Sequence, residues 1–246
     1  MNSYLIPHWP TTNKIRAFCT TRHGGYSKFP YDSFNLSLNT RDNESDVLSN
    51  RKKLRQELYL KQEPFWLRQQ HTNVVICVDN YYSTVPPIAD ASFSRRTNIV
   101  CAVLTADCIP ILVCNRQETL IGAIHAGWKG ILGGVIEQSI QSIAEDPENL
   151  LIWLGPAIGP TAFQVGKELV ENFCNKIPQY SQAFSKWKDK YLANIYQLAI
   201  IQLKQLGVQY IYGGNYCTFS QQNTFYSYRR DGINSGRMAS LIWIRA

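Results

Sequence analysis

Nowhere in the chain do two cysteines stand in a C-x-x-C spacing, and the seven present form an odd set. That argues against a disulfide framework and against a structural four-cysteine zinc site. Most of these thiols are expected to be buried and to act as small apolar residues. Histidine and methionine are scarce, at four and two residues, so any imidazole-built centre has to be small. No apolar run approaches the roughly 20 residues that span a bilayer, and no membrane partner is expected. The segment from Met1 to Pro7 has neither a basic start nor a long apolar run, so no secretory signal is visible and a cytoplasmic location is expected. There is no internal repeat, no low-complexity tract and no Pro/Gly/Ser linker; a single domain over 1–246 is expected. Charged residues make up 17% against 45% apolar, which excludes a disordered chain. The net charge of +7 favours anionic ligands. The basic residues are scattered, however, with no basic helix or aromatic platform, so nucleic acid is not expected as a partner.

What is present reads as interleaved helices and strands. Strands are expected over 15–20, 65–69, 74–78, 99–104, 109–114, 120–125, 150–154, 208–212, 224–228 and 241–244. A helix is expected over 44–60, capped by Asn43, with Val47, Leu48, Leu54 and Leu58 on its buried side. Further helices are expected over 131–144, 166–177 and 190–206, the last closed by Gly207. Interleaving of this kind predicts an α/β domain built on a mixed sheet.

The chemistry concentrates around Cys108 and His125. Two apolar runs flank Asn115-Arg116-Gln117-Glu118, which reads as a four-residue turn. If Cys114 pairs with Thr119, Cys108 falls directly opposite His125, and directly opposed side chains have Cβ atoms about 4.5–5.5 Å apart. A thiolate and an imidazole at that spacing can share one metal. A buried cysteine beside a satisfied core histidine is the plainer reading. Against it stand Asp107 interrupting an apolar strand, Pro110 close behind, and the turn Ala126-Gly127-Trp128-Lys129-Gly130 after His125. A glycine-rich strand-to-helix turn exposes backbone N–H groups that suit phosphate, and Lys129 adds a positive charge. Arg229 and Arg230, beside the aromatic run Phe225-Tyr226-Ser227-Tyr228, suit bidentate anion recognition, although a solvated arginine pair explains them equally. His71, taken alone, reads as a polar surface histidine. The polar, turn-rich segments carrying Arg22 and Asn35 are long for plain connectors.

Seven ordered motifs carry a resemblance over essentially the whole chain. They are Thr21-Arg22-x-Gly24-Gly25-x-Ser27, Pro30-Tyr31-x-Ser33-x-Asn35-Leu36, Gln69-x-His71, Thr105-Ala106-Asp107-Cys108-x-Pro110, His125-Ala126-Gly127-Trp128, Leu154-Gly155-Pro156-Ala157-Ile158-Gly159 and Ser227-Tyr228-Arg229-Arg230-Asp231. The sequence resembles the bacterial laccase-domain family, also called multicopper polyphenol oxidase-like or purine nucleoside phosphorylase, and its enterobacterial members in particular. The resemblance implies an α/β/α layered fold similar to cysteine-hydrolase-like toxin domains. It also implies a metal, zinc or in some cases copper, on His71, Cys108 and His125. The implied activities are phosphorolysis of adenosine, inosine and methylthioadenosine, and deamination of adenosine. The implied partners are therefore a small-molecule nucleoside and phosphate, with no obligate protein partner evident. Catalytic roles fall on Cys108, His125 and Asp107, and substrate or phosphate contacts on Arg229, Arg230, Lys129, Arg22 and Asn35. One departure is Phe163-Gln164-Val165-Gly166, where relatives often carry Glu at the position of Gln164.

Two other chemistries remain open at this point. Four histidines are too few for a multicopper cluster. A single His₂Cys blue-copper centre would want an axial methionine, for which only Met1 and Met238 exist. Alternatively, Cys108 activated by His125 could be the nucleophile of a cysteine amidase, and the resemblance also implies one that edits peptidoglycan precursors.

Overall fold

The computed structural model describes residues 3–246. In chain order the elements begin with β1 (Tyr4–Leu5), β2 (Ile15–Thr20), α1 (Glu44–Glu57), β3 (Val75–Cys77), β4 (Ala91–Ser94) and β5 (Val100–Thr105). The central part holds β6 (Ile109–Asn115), β7 (Ile121–Ala126), α2 (Trp128–Leu132), α3 (Val135–Ile143) and β8 (Leu150–Leu154). Then come β9 (Gln164–Val165), α4 (Lys167–Lys176), β10 (Phe184–Trp187), β11 (Lys190–Ala193), α5 (Ile195–Gln205), β12 (Tyr210–Gly213), α6 (Tyr228–Asp231) and β13 (Met238–Ile244).

The strands form a mixed six-stranded sheet in the order β12-β8-β6-β7-β4-β3, a four-stranded sheet β1-β2-β13-β5 and a small sheet β10-β11-β9. Side-chain alternation sorts the layers. On β6, Ile109, Ile111 and Val113 join the cluster containing Ile136 and Ile140 of α3 and Leu198 of α5. Leu112 and Cys114 face the other way, into a cluster with Ala17, Cys19, Cys101, Val103 and Ile242 of the four-stranded sheet. That sheet's outer face, with Phe18, Leu241 and Trp243, is covered by Leu54 of α1. The order is therefore helices, sheet, sheet, helix. This corrects the α/β/α expectation: a strand buried on both faces has the same apolar pattern whether a helix or a second sheet covers it.

Local departures have local causes. Asn43 caps α1 by accepting from Ser45 N; Val47 and Leu54 are buried, whereas Leu48 is exposed. The helix expected over 131–144 breaks at Gly133-Gly134, where Gly134 takes φ +87°, a conformation that favours glycine. The helix expected from 190 starts only at Ile195, where Asn194 accepts from Gln197 N. Residues 190–193 pair instead with β10. Residues 65–69 make only a lone bridge, Phe65 to Cys101, and 224–228 form no strand but run through the capping Ser227 into α6 at Tyr228. The small, polar run of β4 gave no strand signal. All seven cysteines are free thiols.

The β6–β7 hairpin holds the register that the site depends on. Pro110 pairs with His125 and Cys114 with Ile121, two positions from the expected pairing. Asn115 explains the slip: its Oδ1 accepts from Thr119 N and Leu120 N at 2.8 and 3.1 Å. This moves the turn forward by one residue on each side. A one-residue slip would turn every side chain to the other face, whereas a two-residue slip preserves facing. Cys108 thus stands opposite Gly127, outside the ladder, and still shares a face with His125.

Candidate metal centre and its cavity

Three chain segments deliver the centre. His125 is the penultimate residue of β7, Cys108 lies in the turn between β5 and β6, and His71 lies in the loop before β3. Their ligand atoms all lie within 4.8 Å of one another, and the two imidazole rings are 4.9 Å apart at centroids. The Gln-x-His motif has a clear local purpose. The Gln69 side chain donates to Leu104 O and accepts from Leu104 N, both at 2.8 Å, so it imitates a strand partner for β5 and fixes where His71 emerges. His71 itself sits at φ +59°, a left-handed conformation uncommon outside glycine and found at sites that the surroundings over-determine.

Gly127 has a role different from the one its sequence context suggests. The helix after it has five residues, Trp128–Leu132, and a Cβ at position 127 would lie 2.7 Å from His71 Nδ1 and 2.8 Å from Cys108 Sγ. The glycine clears space for two of the three candidate ligands, His71 and Cys108. Lys129 is exposed, with its ammonium 5.6 Å from the Trp128 ring centroid.

Asp90 escaped the sequence reading. It is fully buried, and its carboxylate takes His125 Nδ1 at 2.7 Å. Burial alone would raise its pKa, but hydrogen bonds from His125 and Thr72 hold it down to about 2. Burial disfavours protonation of His125, yet the adjacent Cys108 sulfur and Asp90 push that imidazole up to about 9. His71 moves down, through burial and the neighbouring His125 charge. The only sequence signal at Asp90 is a single acid in the small-residue run Ala89-Asp90-Ala91.

The cluster forms part of the wall of a cavity of about 530 Å³ that Asp107, Phe163, Tyr228, Arg229 and Arg237 also line. Asp107, at φ +90°, accepts from Thr218 Oγ1 and from Arg229 N, both at 2.6 Å, and so docks the segment carrying Arg229 onto the cluster. Ile158 lines the cavity as well, and its N–H donates to Asp107 O at 3.0 Å. Arg237, which follows the arginine pair in Gly236-Arg237-Met238, carries no assigned role in the sequence reading. Burial lowers its pKa, and its Nη1 donates to Ser235 O and Gly236 O.

Four of the five expected substrate contacts lie outside the cavity lining: the exposed Lys129, and Arg230, Arg22 and Asn35. On α6, successive residues diverge by about 100°, so Arg229 faces the cavity while Arg230 turns away. Arg230 donates to Thr218 O, Phe219 O and Phe225 O and pairs with Asp231. Arg22 donates to Asp32 O and Gln222 O. Asn35 is buried and accepts from Arg237 N at 2.9 Å, one link removed from the cavity. The Gln164 side chain is exposed; its backbone carbonyl, which any residue would offer, accepts from Arg229 Nη1 at 3.1 Å. Met238 is buried and accepts from Tyr226 N at 3.1 Å, so it does not supply an axial copper ligand; Met1 lies outside the described residues.

A family model described as multi-copper polyphenol oxidoreductase laccase matches residues 16–245. The chain belongs to this laccase-like family. Relatives within the family carry a different functional name. A protein of Escherichia coli K12 named purine nucleoside phosphorylase YfiH is 46% identical over 245 residues, covering 99% of this chain and all of that one. A Haemophilus influenzae protein named purine nucleoside phosphorylase is 44% identical, covering 97% and 98%. Among solved structures, a Neisseria meningitidis protein, NMB0706, superposes with a TM-score of 0.94 at 40% identity over the full length of both chains. YlmD of Geobacillus stearothermophilus gives 0.90 at 28%, covering 100% and 97%. These laccase-like relatives support an enzyme acting on small molecules. Among the described residues, no helix is long and apolar enough to cross a membrane.

Proposed function

We propose that the chain is a purine nucleoside phosphorylase with adenosine deaminase activity, working in the cavity beside His71, Cys108 and His125. One observation carries this reading: three metal-capable atoms within 4.8 Å share a cavity wall with two guanidinium groups, Arg229 and Arg237. The name borne by the relatives supports it. Two imidazoles and a thiolate form a donor set that suits zinc with a fourth position open, with copper as the alternative ion. The Asp90 carboxylate on His125 Nδ1 leaves Nε2 of that ring as the ligand nitrogen. When bound, zinc supplies Lewis-acid polarisation.

The protein's own residues do the rest. Arg229 and Arg237 hold hydrogenphosphate against the ribose, and the exposed Lys129, whose charge is felt at His71, adds positive potential. Phe163, Trp128 and Tyr228 give the purine apolar faces to lie against. A phosphate oxygen bonds to C1′ as the bond from C1′ to the base nitrogen breaks. The electron pair leaves with the base, and the proton of hydrogenphosphate ends on that base. Asp107, with both oxygens already accepting hydrogen bonds, orients Arg229. In deamination, water adds at purine C6 and ammonia leaves.

The test is incubation of purified protein with inosine and phosphate, beside Cys108→Ala. Hypoxanthine and ribose 1-phosphate released only by the unmutated protein is the expected result; equal background in both overturns the proposal. The Cys108 sulfur beside His125 also favours a second reading, a cysteine amidase. That enzyme would ignore chelators and be stopped by thiol alkylation, whereas the metal enzyme loses activity with chelator.

A further inference from the structure

Asp90 stands where three elements meet. It directly precedes β4, its N–H donates to Val74 O just before β3, and its carbonyl accepts from His125 N at 2.7 Å. The ladder between β4 and β7 pairs Ala91 with Ile124, so Asp90 lies opposite His125 with side chains on one face. Its carboxylate then collects five donors. Oδ1 accepts from His125 Nδ1 at 2.7 Å and His71 N at 3.1 Å. Oδ2 accepts from Gln70 N at 3.2 Å, Thr72 N at 2.6 Å and Thr72 Oγ1 at 2.8 Å.

From this geometry we infer that Asp90 is a positioning residue that sets both histidines at once: it fixes the tautomer of His125 and the backbone of the loop that presents His71. The inference rests on the metal reading only for its consequence, ligand placement. No neutral isostere can do the same work, because every partner of the carboxylate is a donor. An asparagine must aim its NH₂ at one group of them. Aimed at His125, it demands a bare Nδ1 and moves the ring proton to Nε2, the ligand nitrogen. Aimed at Thr72, it sets donor against donor and frees the loop of His71. Either arrangement spoils one ligand.

The experiment compares unmutated protein, Asp90→Asn and Thr72→Val in two measurements. The first is zinc affinity by competition with a chromophoric chelator. The second is the ¹⁵N–¹H correlation pattern of the His125 ring in excess chelator at pH 10, above the value of about 9 to which its neighbours push that imidazole, where the neutral ring reports its tautomer directly and would not respond to a merely structural role. Unmutated protein is expected to bind about one zinc per chain and to show the Nδ1–H form. Asp90→Asn is expected to bind zinc about 10–100-fold more weakly, with His125 shifted towards the Nε2–H form or, where the amide faces the loop, with the His71 signals displaced. Asp90→Asn with unmutated affinity and an unchanged ring pattern overturns the inference. If that variant does not fold, Thr72→Val decides: it removes one of the five donors and is expected to lose zinc affinity in the same direction, and unmutated affinity there overturns the inference. Unmutated protein that takes up no zinc, yet shows the Nδ1–H form that Asp90→Asn abolishes, sinks the metal reading and leaves the grip of Asp90 on His125 standing.

Discussion

Gly127→Ala isolates the packing around the ligands from the backbone. Gly127 has φ −76° and ψ 164°, an extended conformation that alanine adopts freely, so no conformational strain accompanies the change. In the unfolded chain the substitution is mildly favourable to stability, by about 0.4–1 kcal/mol. In the folded chain the new methyl meets His71 Nδ1 at 2.7 Å, where ordinary contact begins near 3.4 Å. His71, Cys108 or the backbone between them must therefore give by about 0.7 Å. A metal site tolerates ligand displacements of only about 0.2 Å. The expected result is a loss of zinc affinity of at least about tenfold, or ~1.4 kcal/mol. Resistance to urea in excess chelator is expected to stay within about 1 kcal/mol of the unmutated chain. Competition titration and urea melts measure the two quantities separately. Gly127→Ala that binds zinc as tightly as the unmutated protein refutes the clearance argument, and a collapse of stability in chelator shows that the glycine serves the fold instead.

Arg230→Ala is expected to cost about 1.5–3 kcal/mol in urea unfolding, because its guanidinium joins three carbonyls and Asp231. Arg229→Ala should change stability far less and raise the KM for phosphate. Gln164→Glu is expected to leave kcat/KM within about twofold, since the exposed side chain lines no part of the cavity; a large gain would show that the carboxylate reaches the reaction. Cys101 is fully buried, and burial pushes its thiol up to about 12. The unfolded chain releases that proton from about pH 8.5, so folding retains it and stability falls as pH rises between the two values. Cys101→Ala should flatten the urea-derived stability slope between pH 9 and 11 by up to about 1.4 kcal/mol per pH unit; an unchanged slope contradicts the assignment.

Periodicity located most strands because apolar runs and turn residues are local properties. It could not reveal that two sheets stack, since a strand's inner and outer neighbours leave the same apolar trace. Cys108 and His125 came together on paper through a pairing that was two positions out, and parity protected that conclusion. The slip came from the Asn115 side chain, whose preference for Thr119 and Leu120 is a tertiary detail of one turn. The paired arginines misled for a geometric reason: neighbours on a helix cannot both face one cavity. Asp90 was hidden and Arg237 left without a role because a buried carboxylate and a half-buried arginine are recognisable only by their partners, and those lie 35 residues away in His125 and more than 200 residues away in Asn35.

The three ligands stand thirty-seven and seventeen positions apart in the chain and come from a loop, a turn and a strand end. An ion shared by them is a three-way cross-link between segments that the unfolded chain lets drift apart. Its binding energy then enters the folding equilibrium in proportion to RT ln(1 + [ion]/Kd), and a hundredfold excess of free ion over Kd is worth about 2.7 kcal/mol. On the metal reading, the stability of the folded protein would be tied to the metal supply around it, and starvation for the ion would be felt first as unfolding of the segments that carry His71, Cys108 and His125.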